Sequence, residues 1–390
     1  MSIKEIEDES LEAVHTHTHT HTPILLEDKK IKVLELFAGI GACSKALDNL
    51  KIDYELVDAV EKDEHALKSF NAIHNTNFEP QDIMEWDKDV KVDLIMHGSP
   101  CQDFSVAGKG AGGDEGSGTR SSMVYESLRI IKKLKPKYVI WENVKNLLSK
   151  KHKHIFEDYL TKMSELGYIN YYQILNSKDY GIPQHRERIF TVSIKKYEFP
   201  PKENLDFKLK DMLEEEVDKS YYLSEEKINK IANWKAYQKP LEKVLGQNSI
   251  SPTLTARGAG EEHSGMIIYS EDLEETTNLQ KQIIPIKNNT QKGYLEAAEG
   301  DGIYINTSNK RGTVQKEMIP TITSFQDKGV ILKNLKVRKI TPKECFRLMG
   351  FDDIDYEKAS KVNSKSYLYK QAGNSIVVKV LEKVLEKLLL

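Results

Sequence analysis

The chain has 390 residues, 39% of them hydrophobic and 30% charged, which is the composition of a folded globular protein. This length allows two domains or one large domain with an insertion, and the composition excludes collagen-like, mucin-like and wholly disordered proteins. The formal net charge of −3 gives no sign of a nucleic-acid binder. The charge is uneven, however, since residues 101–200 and 301–390 are basic, whereas residues 1–100 and 201–300 are acidic. One face of the protein could therefore still attract a polyanion.

The N-terminal 28 residues form no recognisable element. They contain an HTHTHTHT run, which is typical of a tag or a disordered tail, and they lack the features of a secretory signal peptide. No apolar run in the chain approaches the ~18–20 residues that a membrane span needs. Three cysteines, an odd number, argue against a disulfide framework and indicate a reducing cytoplasm.

From residue 31 onwards, apolar strands alternate with amphipathic helices. The predicted strands are 31–38, 54–61, 92–100, 136–144 and 187–195, and the predicted helices are 39–50, 62–74, 121–135 and 154–167. This alternation predicts an α/β domain over residues 29–198, with a doubly wound, mostly parallel sheet of Rossmann-like type.

The alternation stops near Pro200, where a different segment begins. Residues 199–336 are rich in Gly, Thr, Asn and Glu, and we expect a smaller, irregular, β-rich domain there. Its predicted β stretches are 250–256, 265–269, 302–306, 318–323 and 329–334, and its one predicted helix is 224–237. Residues 337–390 become helical again and are predicted to complete the first domain.

The inserted segment contains a weak internal repeat. Residues 249–258 and 317–329 share the pattern Pro-Thr-[Leu/Ile]-Thr. The two copies are either β-turns that match by chance or two similar elements that face a ligand; the second interpretation predicts two recognised sequences.

A glycine-containing loop, Phe37-Ala-Gly-Ile-Gly41, joins the first strand to the first helix. Glycine lets the backbone approach a ligand closely, and the carboxyl end of a parallel strand is where such sheets bind cofactors. The loop is not the G-x-G-x-x-G fingerprint of dinucleotide binding, because residue 44 is Ser. Glu61 ends the second strand, where it could accept both ribose hydroxyls of a nucleoside. Asp82 and Ile83 follow the next strand-like stretch, at a position suited to an adenine amino group.

Three further motifs follow predicted strands. Gly98-Ser-Pro-Cys-Gln-Asp-Phe-Ser105 places Cys101 at the mouth of the sheet, where a cysteine is a candidate nucleophile. The glycine-rich loop 106–118 that follows is typical of a lid. Glu142 ends the next strand. Arg186 and Arg188, two residues apart, share one face of a strand and suit a phosphate or a carbonyl oxygen.

Taken in order, the motifs FAGIGACSKAL, GSPCQDFS, ENV, QHRERIF and QAGNSIVVKVL resemble the signature motifs of the C5-cytosine DNA methyltransferases. The resemblance spans residues 31–390 and implies S-adenosylmethionine as methyl donor, S-adenosylhomocysteine as product, and no metal. It also implies a target-recognition domain over residues 199–336. The implied cofactor-binding residues are Phe37, Ala38, Gly39, Ile40, Gly41, Glu61, Asp82, Ile83, Pro100, Asn374 and Ser375. One departure is Lys62, which stands where many relatives carry an aromatic residue that stacks on adenine.

By the same resemblance, Cys101 is the nucleophile that attacks C6 of a flipped-out cytosine. Glu142, Arg186 and Arg188 would hold that base, with Glu142 donating a proton to N3. Flipping costs a few kcal/mol, and we expect Gln102 and the 106–118 loop to close on the base. The expected DNA contacts are Gln102, Ser105, Thr253, Thr255, Arg257, Thr321 and Thr323.

This interpretation predicts a monomeric DNA (cytosine-5)-methyltransferase of bacterial or phage restriction–modification type, located in the cytoplasm of the bacterium or phage-infected host. Its expected partner is double-stranded DNA, with a cognate restriction endonuclease acting separately. Two alternatives stay open from the sequence: a tRNA cytosine-5 methyltransferase of the same fold, and a catalytically inactive DNA-binding protein. The size of the insert favours DNA over tRNA, and the presence of Cys101 and Glu142 favours an active enzyme.

Overall fold

The computed structural model describes residues 30–100, 123–224, 226–228, 283–305, 312–323, 328–332 and 337–390. Its main feature is a six-stranded sheet of strand order β2-β1-β3-β4-β7-β5. The strands are β1 Ile31–Leu36, β2 Tyr54–Val60, β3 Leu94–His97, β4 Tyr138–Val144, β5 Ile169–Asn176 and β7 Glu187–Ile194. Neighbouring strands from β2 to β4 are parallel, whereas β7 runs antiparallel to both β4 and β5.

Both faces of this sheet are covered, which explains why its inner strands are almost continuously apolar. In β1, Val33 packs into one core cluster and Leu34 into another on the opposite face; Leu94 and Ile95 of β3 divide in the same way. Successive side chains of a strand point to opposite faces, and burial of both faces is expected for a doubly wound sheet. The predicted fold class is thus confirmed.

Four helices connect the strands of the sheet: α1 Ala42–Asn49, α2 Glu64–His74, α3 Val124–Leu134 and α4 Lys153–Glu165. The start of α2 is fixed by Asp63, whose side chain accepts hydrogen bonds from two backbone amides of the first turn, at His65 and Ala66. The sequence did not predict β5 as a strand. Its pattern is broken by exposed Ile169 and Tyr172, because β5 lies at the edge of the sheet with one side open.

The chain returns to the main sheet through α5 Pro342–Leu348, α6 Asp353–Ser360, α7 Lys365–Asn374 and α8 Val378–Leu389. Thr341 and Glu344 form a reciprocal capping box at the start of α5. Helix α8 packs on α1 through one apolar face that includes Val378, Leu381 and Leu385. The C-terminal residues therefore cover the same face of the sheet as the first helix. The structure shows α6 and α7 where the sequence predicted only an unspecified helical pattern.

The inserted segment contributes short strands with a small core of their own, around Ile284, Ile303 and Ile331. These strands are β8 Ile283–Lys287, β9 Tyr294–Ala298, β10 Gly302–Tyr304, β11 Val314–Gln315, β12 Ile319–Pro320, β13 Lys328–Ile331 and β14 Val337–Lys339. A four-stranded sheet of order β11-β10-β13-β14 extends to Lys339, past the predicted boundary at residue 336. Predicted stretches 302–306 and 318–323 contain β10 and β12, and 329–334 overlaps β13, which begins one residue earlier. Stretches 250–256 and 265–269 and most of the predicted helix lie outside the described residues.

Strand β12 does not join the sheet of the insert. It pairs in parallel with β6, Gln184–His185, which directly precedes β7 of the main sheet. This two-stranded contact attaches the inserted segment to the chain just before β7 of the main sheet. Within the described ranges, no helix has the length and apolar character that crossing a bilayer requires.

Candidate functional site

The glycine loop, residues 37–41, leaves β1 in a conformation that few side chains tolerate. Phe37, Gly39 and Gly41 have φ values of 54°, 58° and 82°. A Cβ added to Gly41 would overlap the imidazole of His74, which lies below the loop with its Nε2 3.2 Å from the carbonyl oxygen of Ile40. Glycine is required at Gly41 for both conformation and space, so the loop has a fixed shape.

Glu61, at the end of β2, is bonded to this loop. Its Oε2 accepts a hydrogen bond from the backbone amide of Gly39 at 2.9 Å, and its Oε1 accepts one from the amide of Asp63 at 2.8 Å. Burial raises the pKa of Glu61. The next residue, Lys62, places its Nζ 2.5 Å from a carboxylate oxygen of Asp82. A half-buried carboxylate and a surface ion pair thus lie side by side at the end of β2.

Asp82 is placed differently from the prediction, because no strand precedes it: residues 75–93 are loop and turn. Pro80 has no amide hydrogen for a sheet ladder, and the amide of Gln81 donates instead to the carbonyl oxygen of Glu61 at 2.9 Å. This bond brings Asp82 next to Glu61 without a strand. Ile83 is buried in the core of the α3 and α4 face.

A cavity of about 430 Å³ lies against the glycine loop and the carboxyl ends of β1 and β3. Predicted cofactor residues in its lining are Phe37, Ala38, Gly39, Asn374 and Ser375. Ile40, Gly41, Glu61, Asp82, Ile83 and Pro100 do not line it; Ile40 packs in the core instead. Lining residues that the sequence analysis missed are Glu35, Leu36, Ala42, Cys43, Met96, Gly98 and Ile376. Position in the chain was the signal that could have found them. Glu35, Leu36, Met96 and Gly98 lie at or beside the ends of β1 and β3, Ala42 and Cys43 directly follow the glycine loop, and Ile376 follows Asn374-Ser375.

Glu142 lies between this cavity and a second one of about 190 Å³, and it lines both. Arg186 and Arg188 line the second cavity together, as their spacing predicted. The Nε of Arg188 lies 3.1 Å from Oε1 of Glu142. Burial raises the pKa of Glu142, and the positive charges of Arg188 and then Arg186 oppose that effect.

The segment that leads to Cys101 is held against Glu142. The hydroxyl of Ser99 accepts a hydrogen bond from the indole of Trp141 at 3.1 Å. The side-chain amide of Asn143 donates to the backbone carbonyl oxygen of Ser99 at 3.3 Å. A Cβ at Gly98 would lie 3.8 Å from Oε2 of Glu142. The chain therefore approaches residue 101 alongside the carboxylate.

Arg186 is almost fully buried, with 4% of its surface exposed. Its guanidinium donates to the carbonyl oxygens of Ile322 at 3.0 Å, Gly373 at 3.2 Å and Ser375 at 2.8 Å. The first of these oxygens belongs to the inserted segment, and the other two lie at the end of α7, on either side of Asn374, which lines the larger cavity. Arg186 thus joins the insert to that cavity.

The second copy of the repeat packs against the main domain. The hydroxyl of Thr321 donates to the carbonyl oxygen of His185 at 2.7 Å, and the amide of Ile322 donates to the side chain of Gln184 at 3.0 Å. This differs from the expectation that Thr321 faces DNA, because pairing of β12 with β6 directs its hydroxyl to the protein. The Oγ1 of Thr323 lies 3.5 Å from the Nζ of Lys328.

Several predicted residues lie outside the described part of the chain: Cys101, Gln102, Ser105, Thr253, Thr255 and Arg257, together with the tail 1–28 and the loop 106–118. Among the residues that are described, no group of three or more His, Cys, Asp or Glu side chains is arranged to hold a metal ion.

Comparison with known proteins identifies the class that this fold and cleft belong to. The family described as C-5 cytosine-specific DNA methylase matches residues 31–389. The chain belongs to this family, which confirms the resemblance drawn from the five motifs and the predicted enzyme class, DNA (cytosine-5)-methyltransferase.

Its similarity to individual relatives extends over nearly their whole length. The chain is 31% identical to orphan methyltransferase M.SPRI of Bacillus phage SPR, over 92% of this chain and 98% of the relative. It is 29% identical to type II methyltransferase M2.ScrFI of Lactococcus lactis subsp. cremoris, over 92% and 99%. It is 28% identical to type II methyltransferase M.HhaI of Haemophilus parahaemolyticus, over 92% and 95%.

Solved structures share the fold. A putative DNA modification methyltransferase encoded within an E. coli prophage aligns with a TM-score of 0.57 at 19% identity, covering 92% of this chain and 98% of that one. The S. pombe Dnmt2 methyltransferase aligns with a TM-score of 0.52 at 21% identity, covering 92% and 98%.

Proposed function

We propose that this enzyme methylates C5 of a cytosine flipped out of a specific duplex DNA sequence, using S-adenosylmethionine and a covalent adduct between Cys101 and C6 of the base. The observation that carries the proposal is the position of Glu142, which lines both cavities and contacts Arg188 at 3.1 Å. A group shared by two adjoining cavities can contact a base in one while the other holds a methyl donor.

The residues around the larger cavity fit S-adenosylmethionine. The backbone of the glycine loop forms one wall of this cavity. A Cβ at Gly39 would meet no atom within 4 Å, so that side of the loop is open for a ligand. Glu61, bonded to the amide of Gly39, offers a half-buried carboxylate as an acceptor for ribose hydroxyls. When bound there, S-adenosylmethionine supplies an electrophilic methyl group.

The protein residues have separate parts in the proposed reaction. The Cys101 thiolate forms a bond to C6, and the electron pair of the C5–C6 double bond becomes available at C5 for the methyl group. Glu142, which burial keeps protonated to a higher pH than an exposed glutamate, donates a proton to N3 and so neutralises the charge on the ring. Methyl transfer to C5 releases S-adenosylhomocysteine. A water molecule then takes the C5 proton, the C5–C6 double bond re-forms as the Cys101 thiolate leaves C6, and N3 returns its proton to Glu142.

The two arginines divide the predicted contacts between them. The guanidinium of Arg186 donates to three protein carbonyl oxygens, so we propose that Arg186 positions the site rather than the base. Arg188 is partly exposed beside Glu142, and we propose that it contacts O2 of the cytosine. Because Thr321 bonds within the protein, we propose that residues 249–258 make the main recognition contacts, through Thr253, Thr255 and Arg257. The place for this reaction is the cytoplasm of a bacterium or a phage-infected host.

Transfer of a labelled methyl group tests this function. The full chain, given methyl-tritiated S-adenosylmethionine, is expected to label duplex DNA and not tRNA, and bisulfite sequencing should place 5-methylcytosine in a fixed sequence. Cys101→Ala should abolish transfer while S-adenosylhomocysteine still binds, and Cys345→Ala, a change at a buried cysteine outside both cavities, should keep transfer. Label in tRNA alone, or methylation by Cys101→Ala, would refute the proposal.

A further inference from the structure

A strongly basic segment follows the strand that carries Glu142. The fourteen residues 143–156 contain no acid, and within them the basic segment 145–154 holds four lysines and two histidines: Lys145, Lys150, Lys151, His152, Lys153 and His154. The function proposed above uses none of these side chains.

The fold places this basic segment at the same edge of the sheet as the two cavities. The chain leaves β4 at Val144, which is paired with Arg188 in β7. It then forms a 3-10 turn over Lys145–Leu148 and enters α4 at Lys153. Both ends of this connection therefore lie at the carboxyl end of β4.

Packing fixes which side of the segment faces outwards. Ile155 and Phe156 are buried, and the ring centroid of Phe156 lies 5.8 Å from that of Trp141 in β4. Lys150, Lys151 and Lys153 are exposed. The apolar residues thus anchor the start of α4 to the sheet while the lysines face solvent.

Two lysines of the segment lie close to acids outside it. Lys145 lies 3.1 Å from Glu187, and Lys153 lies 2.7 Å from Glu157, four residues further along α4. Burial, then the charges of Lys151 and His154, lower the pKa of His152, as expected where positive charge is concentrated. Residues 143–156 themselves hold four lysines and no acid, so the segment carries net positive charge.

We propose that Lys150, Lys151 and Lys153 bind the phosphate backbone of duplex DNA beside the flipped cytosine. The proposal rests on the proposed function, since it assumes that DNA approaches this edge. Lys150 is six residues beyond Val144, so an extended chain puts it within about 20 Å of that strand end. A protein–DNA interface of about 1,000–2,500 Å² reaches that far from its centre. These contacts position the duplex without reading its sequence.

A second lysine cluster provides a matched control. Lys132, Lys133, Lys135 and Lys137 are exposed at the end of α3 and just after it, immediately before β4 begins at Tyr138. They therefore lie at the amino edge of the sheet, about 20 Å from Val144 along the seven residues of β4. DNA bound at the carboxyl edge leaves them free.

The test compares Lys150→Gln/Lys151→Gln with Lys132→Gln/Lys135→Gln in the full chain. Binding of a labelled 40-base-pair mixed-sequence duplex is measured by fluorescence anisotropy from 50 to 200 mM NaCl. Loss of two phosphate contacts should reduce the slope of log K against log salt by about 1.8, which makes the loss of affinity over this range about twelvefold smaller. The control pair should keep the wild-type slope, and Lys150→Arg/Lys151→Arg should largely retain it.

An unchanged slope in Lys150→Gln/Lys151→Gln, or an equal reduction in both glutamine pairs, would overturn the proposal. If the Lys150→Gln/Lys151→Gln variant keeps its DNA slope but loses binding to anionic vesicles, the segment faces a membrane surface and the proposal also fails. Unchanged S-adenosylhomocysteine affinity shows that the variants are folded. A wild-type chain that methylates no duplex at all refutes the proposed function instead.

Discussion

Replacing Arg186 by lysine separates a positioning role from contact with the base. The guanidinium donates to three carbonyl oxygens, on Ile322, Gly373 and Ser375, at 2.8–3.2 Å. A lysine ammonium keeps the charge but lacks the planar fork that spans these three acceptors. Two hydrogen bonds from a charged donor are lost, each worth about 1.5–3 kcal/mol, so the free energy of unfolding should fall by about 3–6 kcal/mol.

The same change should weaken cofactor binding, because Gly373 and Ser375 flank Asn374 in the cavity lining. We expect the Kd for S-adenosylhomocysteine to rise about tenfold, which corresponds to about 1.4 kcal/mol. Urea unfolding and isothermal titration calorimetry measure the two quantities. The matched control is Arg188→Lys, which should lose methyl transfer but keep cofactor affinity and most of its stability. Wild-type stability and affinity in Arg186→Lys would refute the reasoning.

Three further predictions concern the cofactor loop and the carboxylate. Because burial raises the pKa of Glu142, the folded protein holds a proton that the unfolded chain loses above about pH 4.5. Stability from this group is therefore lost as pH rises through that region. The unfolding free energy of Glu142→Gln should rise relative to that of the wild type over the same pH range. A difference in unfolding free energy between the two proteins that stays constant across pH would contradict this. Lys62→Trp should tighten S-adenosylhomocysteine binding at least fivefold by calorimetry, since stacking on a base is worth about 1–3 kcal/mol; weaker binding would refute it. Gly39→Ala should lower the free energy of unfolding by about 1–2 kcal/mol, because of its positive φ alone. Gly41→Ala should lower it clearly more in urea unfolding, because its Cβ would also overlap His74. Equal losses in the two variants would contradict the loop geometry.

The sequence predicted local features well where short-range rules apply. Strands β1 and β4 were recognisable because both of their faces are buried, and Gly41 because its turn needs a positive φ. Their spacing predicted that Arg186 and Arg188 share one face of a strand. In the structure both line one cavity, although Arg186 lies between β6 and β7 rather than in a strand.

Long-range contacts could not be read from the sequence in the same way. Arg186 bonds to residues 136 to 189 positions away, and no local pattern encodes such partners. Asp82 reaches Glu61 through a backbone bond that replaces the expected strand. Thr321 belongs to a sequence repeat, but pairing with His185 decides where its hydroxyl points.

Covalent trapping tests the central claim most directly. In a duplex whose target cytosine carries fluorine at C5, the adduct cannot lose a C5 proton, so the bond between the enzyme and C6 should persist. With S-adenosylmethionine present, the wild-type chain is expected to form a protein–DNA complex that survives denaturing electrophoresis and maps to Cys101, and Cys101→Ala should form none. A preparation that methylates the unmodified duplex yet forms no complex, or a complex that persists in Cys101→Ala, would contradict the mechanism.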